Sequence, residues 1–228
     1  MRHLIKHVTH YAYTQPVRYS IQLLRLTPRM DSHQHAIKWN IDAPGELDQY
    51  VDAYGNVTHT LTLTRPHTDI ALYVSGQVEV LPTQDGRILG EDSRLPIAAF
   101  NVPTALTRGD ESIRAFCADA LPAGLHTPAD ALQLANAICE RVDYVPGTTD
   151  VTTPATDVLR QGRGVCQDHS HLFLACAHLL GRPARYVSGY LYTTAEHAAS
   201  HAWCDVWLVD LGWVSIDVTN RQFASDCH

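Results

Sequence analysis

Residues 162–190 read GRGVCQDHSHLFLACAHLLGRPARYVSGY. A cysteine follows two closely spaced glycines and opens an amphipathic run. Gly162 and Gly164 permit the backbone angles of a sharp entry into a helix. From Cys166 onward, Leu172, Phe173, Cys176, Leu179 and Leu180 supply an apolar stripe. Gly181 fits the position after the last turn, and Pro183 prevents continuation. The pattern places Cys166 in the first turn of a buried helix. Unpaired backbone N–H groups and the positive end of the helix dipole favour an anion there. A cysteine so placed loses its proton more readily, and the thiolate is the nucleophilic form. The backbone N–H at this position can also donate to an oxyanion. Free cysteine is also among the most buried residue types, so Cys166 taken alone reads as structural. Cys176, mid-helix on the apolar face, reads as core, as do Cys117 and Cys139.

The balance shifts with residues 200–220, SHAWCDVWLVDLGWVSIDVTN. A cysteine nucleophile needs a histidine to take its proton and a third group to orient that histidine. His201 begins one strand candidate and Asp217 lies near the end of the next, with a tight connection at residues 210–212. That turn sets Asp217 opposite about residue 203 to 205, two to four positions from His201. An even offset keeps both on one face. Cys204, three residues from His201 on a strand, falls on the opposite face. Trp203 either walls a cleft beside His201 or fills the core. Asp168 reads as a cleft residue or as a helix-start acid favoured by the dipole, the second being preferred. His169 reads as a packed histidine, and His171 and His178 as helix-surface or packing residues.

Two halves flank a loose stretch. Residues 1–88 carry short alternating runs such as HVTHYAYT and HAIKWNID. Tyr54-Gly55-Asn56 forms a hairpin signal, and Val74, Val78 and Val80 follow period two. They predict a β-sandwich or curled sheet, with Tyr11, Tyr13 and Trp39 in its core. Residues 89–110 hold two prolines, two glycines and no firm periodicity, and predict a linker. Residues 111–228 begin with helical patterns. In TPADALQLANAICERV, Thr127 caps, Pro128 takes the first helical position, and Leu132, Ala135, Ile138 and Cys139 share a face. After the opening segment come three strand candidates. Helices followed by an antiparallel sheet give an α+β domain.

The chain has 228 residues, 45% hydrophobic and 18% charged, with a formal net charge of −7. That charge argues against a broad nucleic-acid-binding surface. No apolar run approaches a membrane span, and the N-terminus lacks the apolar stretch of a signal peptide. The six cysteines form no CxxC pair and read as reduced thiols, in keeping with a cytoplasmic protein. The 14 histidines invite a metal reading. His33/His35 and His169/His171 are spaced i, i+2, and helical residues so spaced point to different faces. His197 lies four residues before His201. There is no HExxH and no Cys/His cluster with ligand spacing, so no metal is expected.

At these residues the sequence resembles the transglutaminase-like superfamily, in its bacterial branch of cysteine peptidases. GRGVCQDHSHLFLACAHLLGRPARYVSGY resembles the family's nucleophile helix and following strand. SHAWCDVWLVDLGWVSIDVTN resembles its His and Asp strands, and VDYVPGTTDVTTPATDVLRQ also fits. YAYTQPVRYSIQLLRLTPR and WNIDAPGELDQYVDAYGNVTHTLTL resemble the β-rich domain that often precedes this core. The resemblance implies a papain-like α+β core with Cys166 as nucleophile, His201 as general base and acid, and Asp217 as its orienter. It implies attack on a carboxamide or peptide carbonyl, a thioester acyl-enzyme, and transfer to water or an amine. No metal or organic cofactor is needed, and the partner would be a peptide or protein substrate. A non-catalytic domain that keeps the fold to bind peptide or protein is the alternative.

Three departures stand out. Asp217-Val218-Thr219 replaces the family's usual Asp-Pro-Thr. The tryptophan that larger relatives place upstream of the nucleophile is absent, which leaves Tyr144 and Gln167 as candidates for the second oxyanion donor. Bacterial relatives also continue beyond the segment resembling DVTNRQFASDCH. A missing terminal strand would leave a sheet edge exposed, or favour pairing with a second copy.

Overall fold

A computed structural model of the chain describes residues 1–89, 94–193 and 200–228. His197 and residues 90–93 of the expected linker lie outside the described residues. Two compact units emerge, one from Met1–Leu81 and the other from Pro82–Leu89 with Pro96–His228.

The first unit holds β1 (Arg2–Val17), β2 (Ser20–Leu24), β3 (Gln34–Asp42), β4 (Leu47–Val51), β5 (Val57–Leu63) and β6 (His67–Val80). They form two three-stranded antiparallel sheets, ordered β1-β6-β3 and β2-β5-β4. Period-two alternation along β6 buries Ile70, Leu72, Val74, Val78 and Val80, so one face of that strand is apolar throughout. Ile70 and Leu72 join Leu24 and Leu61 in a small core, with Tyr13 packed against it. The β4–β5 connection is held by Asp52, whose Oδ1 accepts the N–H groups of Tyr54 (3.0 Å) and Asn56 (2.9 Å). Tyr11, expected inside, is 46% exposed. Trp39 is half-buried and donates its indole N–H to the Leu26 carbonyl at 2.9 Å.

The second unit begins earlier than the sequence suggests. Residues 87 and 88 form β7 (Arg87–Ile88), which pairs antiparallel with β12 (Gly212–Asp217). Two residues are too few to show a period, so the segment reads as the tail of the first half. The stretch taken as linker is also structured from residue 96. A 3-10 helix at Ile97–Asn101 buries Phe100, whose ring meets Trp213 edge to face at 5.2 Å. The Leu106 carbonyl accepts from the Ala155 N–H at 2.9 Å.

Four helices follow among the described residues: α1 (Glu111–Ala120), α2 (Pro128–Arg141), α3 (Ala155–Gln161) and α4 (Cys166–Leu179). Thr127 and Asp130 cap α2 reciprocally, side chain to backbone, at 3.2 and 2.8 Å. Such a box satisfies two orphan N–H groups. The buried face of α2 is Ala131, Leu134, Ala135 and Ile138, with Leu132 and Cys139 half-buried beside it. Between the helices, β8 (Asp143–Tyr144) pairs in parallel with β9 (Arg163–Gly164). The main sheet runs β10 (Ala184–Tyr190), β11 (Ser200–Leu208), β12 and β13 (Gln222–Phe223).

The long apolar helix lies at the centre. All ten residues of α4 from Asp168 to Ala177 are buried, with α1, α2 and α3 packed on it and β10 and β11 across from them. A stripe therefore understates its burial. Full burial of Leu172 and Phe173, both 0% exposed, stabilises by about 1.5–3 kcal/mol for each side chain. Across the sheet, Arg185 places two nitrogens on Asp205 Oδ2 at 2.8 and 2.7 Å and lies 4.4 Å over the Trp213 ring.

Candidate active site

The route into α4 is built by two glycines with different tasks. Gly162 ends α3 in the left-handed region (φ 67°), where its N–H bonds the Val158 carbonyl at 2.9 Å. Only glycine adopts that angle without strain. At Gly164 the constraint is space, since a Cβ there would sit 2.6 Å from the Asp168 Cβ. Asp168 needs the room. Its Oδ2 accepts the Val165 N–H and the Thr149 hydroxyl, both at 2.7 Å. It is 0% exposed, so it caps the helix and does not line a cleft. The cause is local: the free N–H groups of the first turn are the nearest donors to a carboxylate three residues in.

Cys166 follows directly as the first residue of α4. Burial pushes its thiol up. The hydrogen bond and charge of His201, with the backbone N–H groups of Ala202 and Gln167, outweigh that and hold it below the ordinary cysteine value. His201 is the first-turn partner from the sheet. Burial would lower its pKa, but the bonds to Asp217 and Cys166 push it up to about 9. Its Nε2 donates to Asp217 Oδ2 at 2.9 Å, which leaves Nδ1 for the thiol. Asp217 is 0% exposed. Burial opposes its charge, yet donors from His201, His228 and Asn220 hold it well below the usual carboxylate range. The shifts all run one way: each favours the charged form of its group, thiolate, imidazolium and carboxylate.

The sheet register explains the meeting of His201 and Asp217. Cys204 pairs with Ile216 and Asp205 with Ser215. One step further sets residue 217 opposite residue 203, two from His201 and on the same face. Trp203 is half-buried, its ring 6.1 Å from the His201 ring and tilted by 30°. It stands beside the imidazole and outside the buried core.

Tyr144 is 53% exposed. Burial, then the Cys166 charge, pushes its phenol up, which puts it within electrostatic reach of the sulfur. Gln167 contributes its backbone N–H to the Cys166 thiolate. His169 and His171 do not converge. His169 is buried between the Val142 carbonyl and Thr219 Oγ1, both at 3.1 Å, and the His171 ring faces Tyr186 at 5.4 Å. His178 bonds the Phe100 carbonyl at 3.0 Å. Among the described residues, His201, Asp217 and His228 bring two ring nitrogens and a carboxylate oxygen within 4.8 Å of one another. Asn220 Nδ2 already donates to Asp217 Oδ2 at 2.7 Å, a bond that a cation there would have to displace.

Sequence reasoning passed over Asn220, Thr149 and His228. Asn220 had a local signal, an amide three residues after an aspartate in a turn. Thr149 and His228 reach the site through tertiary folding alone.

Comparison with known proteins agrees with this architecture. Residues 117–218 match the family described as the transglutaminase-like superfamily, and residues 4–79 match the bacterial transglutaminase-like N-terminal region. An uncharacterised protein of Mycobacterium leprae is 34% identical over 233 residues, spanning 95% of this chain and 82% of that one. One from Mycobacterium tuberculosis is 28% identical over 249 residues, spanning 97% and 79%. The crystal structure of a candidate cysteine protease from Cytophaga hutchinsonii superposes with a TM-score of 0.79 at 18% identity, covering 100% of this chain and 81% of that one. The chain belongs to the transglutaminase-like superfamily and has its mixed α/β fold.

Proposed function

We propose that the protein is a cysteine-dependent hydrolase or acyltransferase acting on peptide or carboxamide bonds. Cys166 is the nucleophile, His201 the general base and acid, and Asp217 the group that orients His201. The observation that carries this reading is the continuous chain from sulfur to imidazole to buried carboxylate, with the sulfur at the start of a helix. Cys166 Sγ attacks the carbonyl carbon, and the carbonyl electron pair moves to oxygen. His201 then gives its proton to the departing amine as the tetrahedral intermediate collapses to a thioester. Water or a second amine, deprotonated by His201, releases the acyl group. Which acceptor wins decides between hydrolysis and transfer. The chemistry asks for no cofactor. Six free cysteines support a reducing compartment, and we place the protein in the cytoplasm on that ground.

Iodoacetamide labelling at neutral pH tests the assignment. Cys166 should react selectively and faster than free cysteine, and incubation with cell extract should leave a thioester on it detectable by mass spectrometry. A rate at Cys166 no greater than that of free cysteine would favour a binding domain that has kept the fold.

A further inference from the structure

Asp217 Oδ2 takes three donors. His201 Nε2 lies at 2.9 Å, His228 Nε2 at 2.9 Å and Asn220 Nδ2 at 2.7 Å. The acyl-transfer steps use one imidazole, so the second is unexplained. His228 is firmly seated. Its side chain is 3% exposed. Its Nδ1 accepts the Ser225 N–H at 3.1 Å, which puts the ring proton on Nε2, facing the carboxylate. The ring meets Trp203 edge to face at 5.3 Å and lies 6.2 Å from the His201 ring. The turn that carries it is tied down by the Tyr192 N–H, which donates to the Cys227 carbonyl at 2.8 Å.

We propose that His228 is a positioning residue for His201, acting through Asp217: it supplies a donor to the shared oxygen and keeps water off it. The inference rests on the catalytic reading above. A buried carboxylate gives up the waters that would solvate it and takes protein donors in their place. His228 is one of the three on Oδ2, and its ring closes one side of the carboxylate. Without the ring, water reaches Oδ2, the local dielectric rises, and the attraction between Asp217 and the His201 imidazolium weakens. The other titratable groups whose charge couples to Asp217 are Cys139 on α2, His169 on α4, Cys204 on β11 and Cys227 beside His228. The nearby Arg221 guanidinium is spent on the Cys139 carbonyl at 3.2 Å.

The test compares His228→Gly, His228→Ala and His228→Gln with the unaltered chain. The His201 ring is titrated by NMR, and Cys166 alkylation by iodoacetamide is followed against pH. In the Gly and Ala variants, which open the carboxylate to water, the His201 midpoint should fall by about one pH unit and the midpoint of Cys166 alkylation should rise. Gln, which keeps a donor and much of the cover, should restore most of both. A His201 midpoint that stays put or rises in folded Gly or Ala variants overturns the proposal, even where melting temperature drops. Should Gly fail to fold by circular dichroism, Ala, whose backbone is less free, decides. Loss of fold in both assigns His228 to stability and also overturns it. The two readings fail differently. A sluggish Cys166 in the unaltered chain with a His201 midpoint still dependent on His228 sinks the catalytic reading alone. A fast Cys166 with an unmoved His201 midpoint sinks this one.

Discussion

Gly164 and Asp168 share a space that holds one side chain: a Cβ on the glycine would lie 2.6 Å from the aspartate Cβ and 2.9 Å from its Oδ2. Gly164→Ala should therefore push Asp168 off the Val165 N–H and tilt the first turn of α4. Overpacking of this kind costs about 1–3 kcal/mol. Urea unfolding measures the loss, and Cys166 alkylation should slow in the folded fraction. An alanine variant with unchanged stability would show that the neighbours yield freely.

Asp168→Ala removes the acceptor for the Val165 N–H and the Thr149 hydroxyl. Leaving a buried donor unpaired costs about 1–3 kcal/mol. Because Asp168 acts as a cap and is fully buried, the loss should be in stability, with the pH midpoint of Cys166 alkylation little changed. A large midpoint shift without loss of stability would instead return Asp168 to the cleft.

Cys166→Ala should abolish acyl transfer while circular dichroism and melting temperature stay close to those of the parent. Asp217→Asn should leave a residual rate, lowered by about 10²- to 10⁴-fold, because it disturbs orientation and spares the nucleophile. Transfer by the alanine variant at the parental rate would refute the assignment of the sulfur. Equal unfolding of both variants would make Asp217 a structural residue.

Stability should depend on pH through His201, whose pKa is pushed up to about 9 in the fold against about 6.5 unfolded. A raised pKa means the bound proton stabilises the native state. That contribution is complete below about pH 6.5 and is lost as pH climbs through about 9. Asp217 works the other way, since its pKa is depressed; its contribution is present above about pH 4 and is lost as pH falls through its lowered value. Urea midpoints at pH 6, 8 and 10 should drop more steeply for the parent than for His201→Gln. Parallel curves would contradict the pairing.

Much of this arrangement is legible in the letters wherever the cause is local. Asp210 and Gly212 both have positive φ (67° and 82°), and the turn they make sets the β11–β12 register from which the face of residue 217 follows. Thr127, Pro128 and Asp130 announce α2, and Gly181 (φ 68°) announces the end of α4. The limits are as instructive. His169 and His171 interrupt an apolar run, so α4 reads as a one-sided stripe; their burial is permitted by neighbours such as the Val142 carbonyl, far away in sequence. The segment that ends in His228 has no hydrophobic period, and its place against Asp217 depends on long-range packing. β7 is too short for any pattern to reveal it.

Enclosure of α4 by the helices and the sheet bears on how a substrate must engage. On the catalytic reading proposed above, the reactive atom is mounted on the innermost rod of the unit and has little freedom to travel. The fit between attacker and target carbonyl then has to come from bending of the ligand or rearrangement of superficial segments. Inhibitors with rigid electrophiles should accordingly discriminate sharply by approach angle.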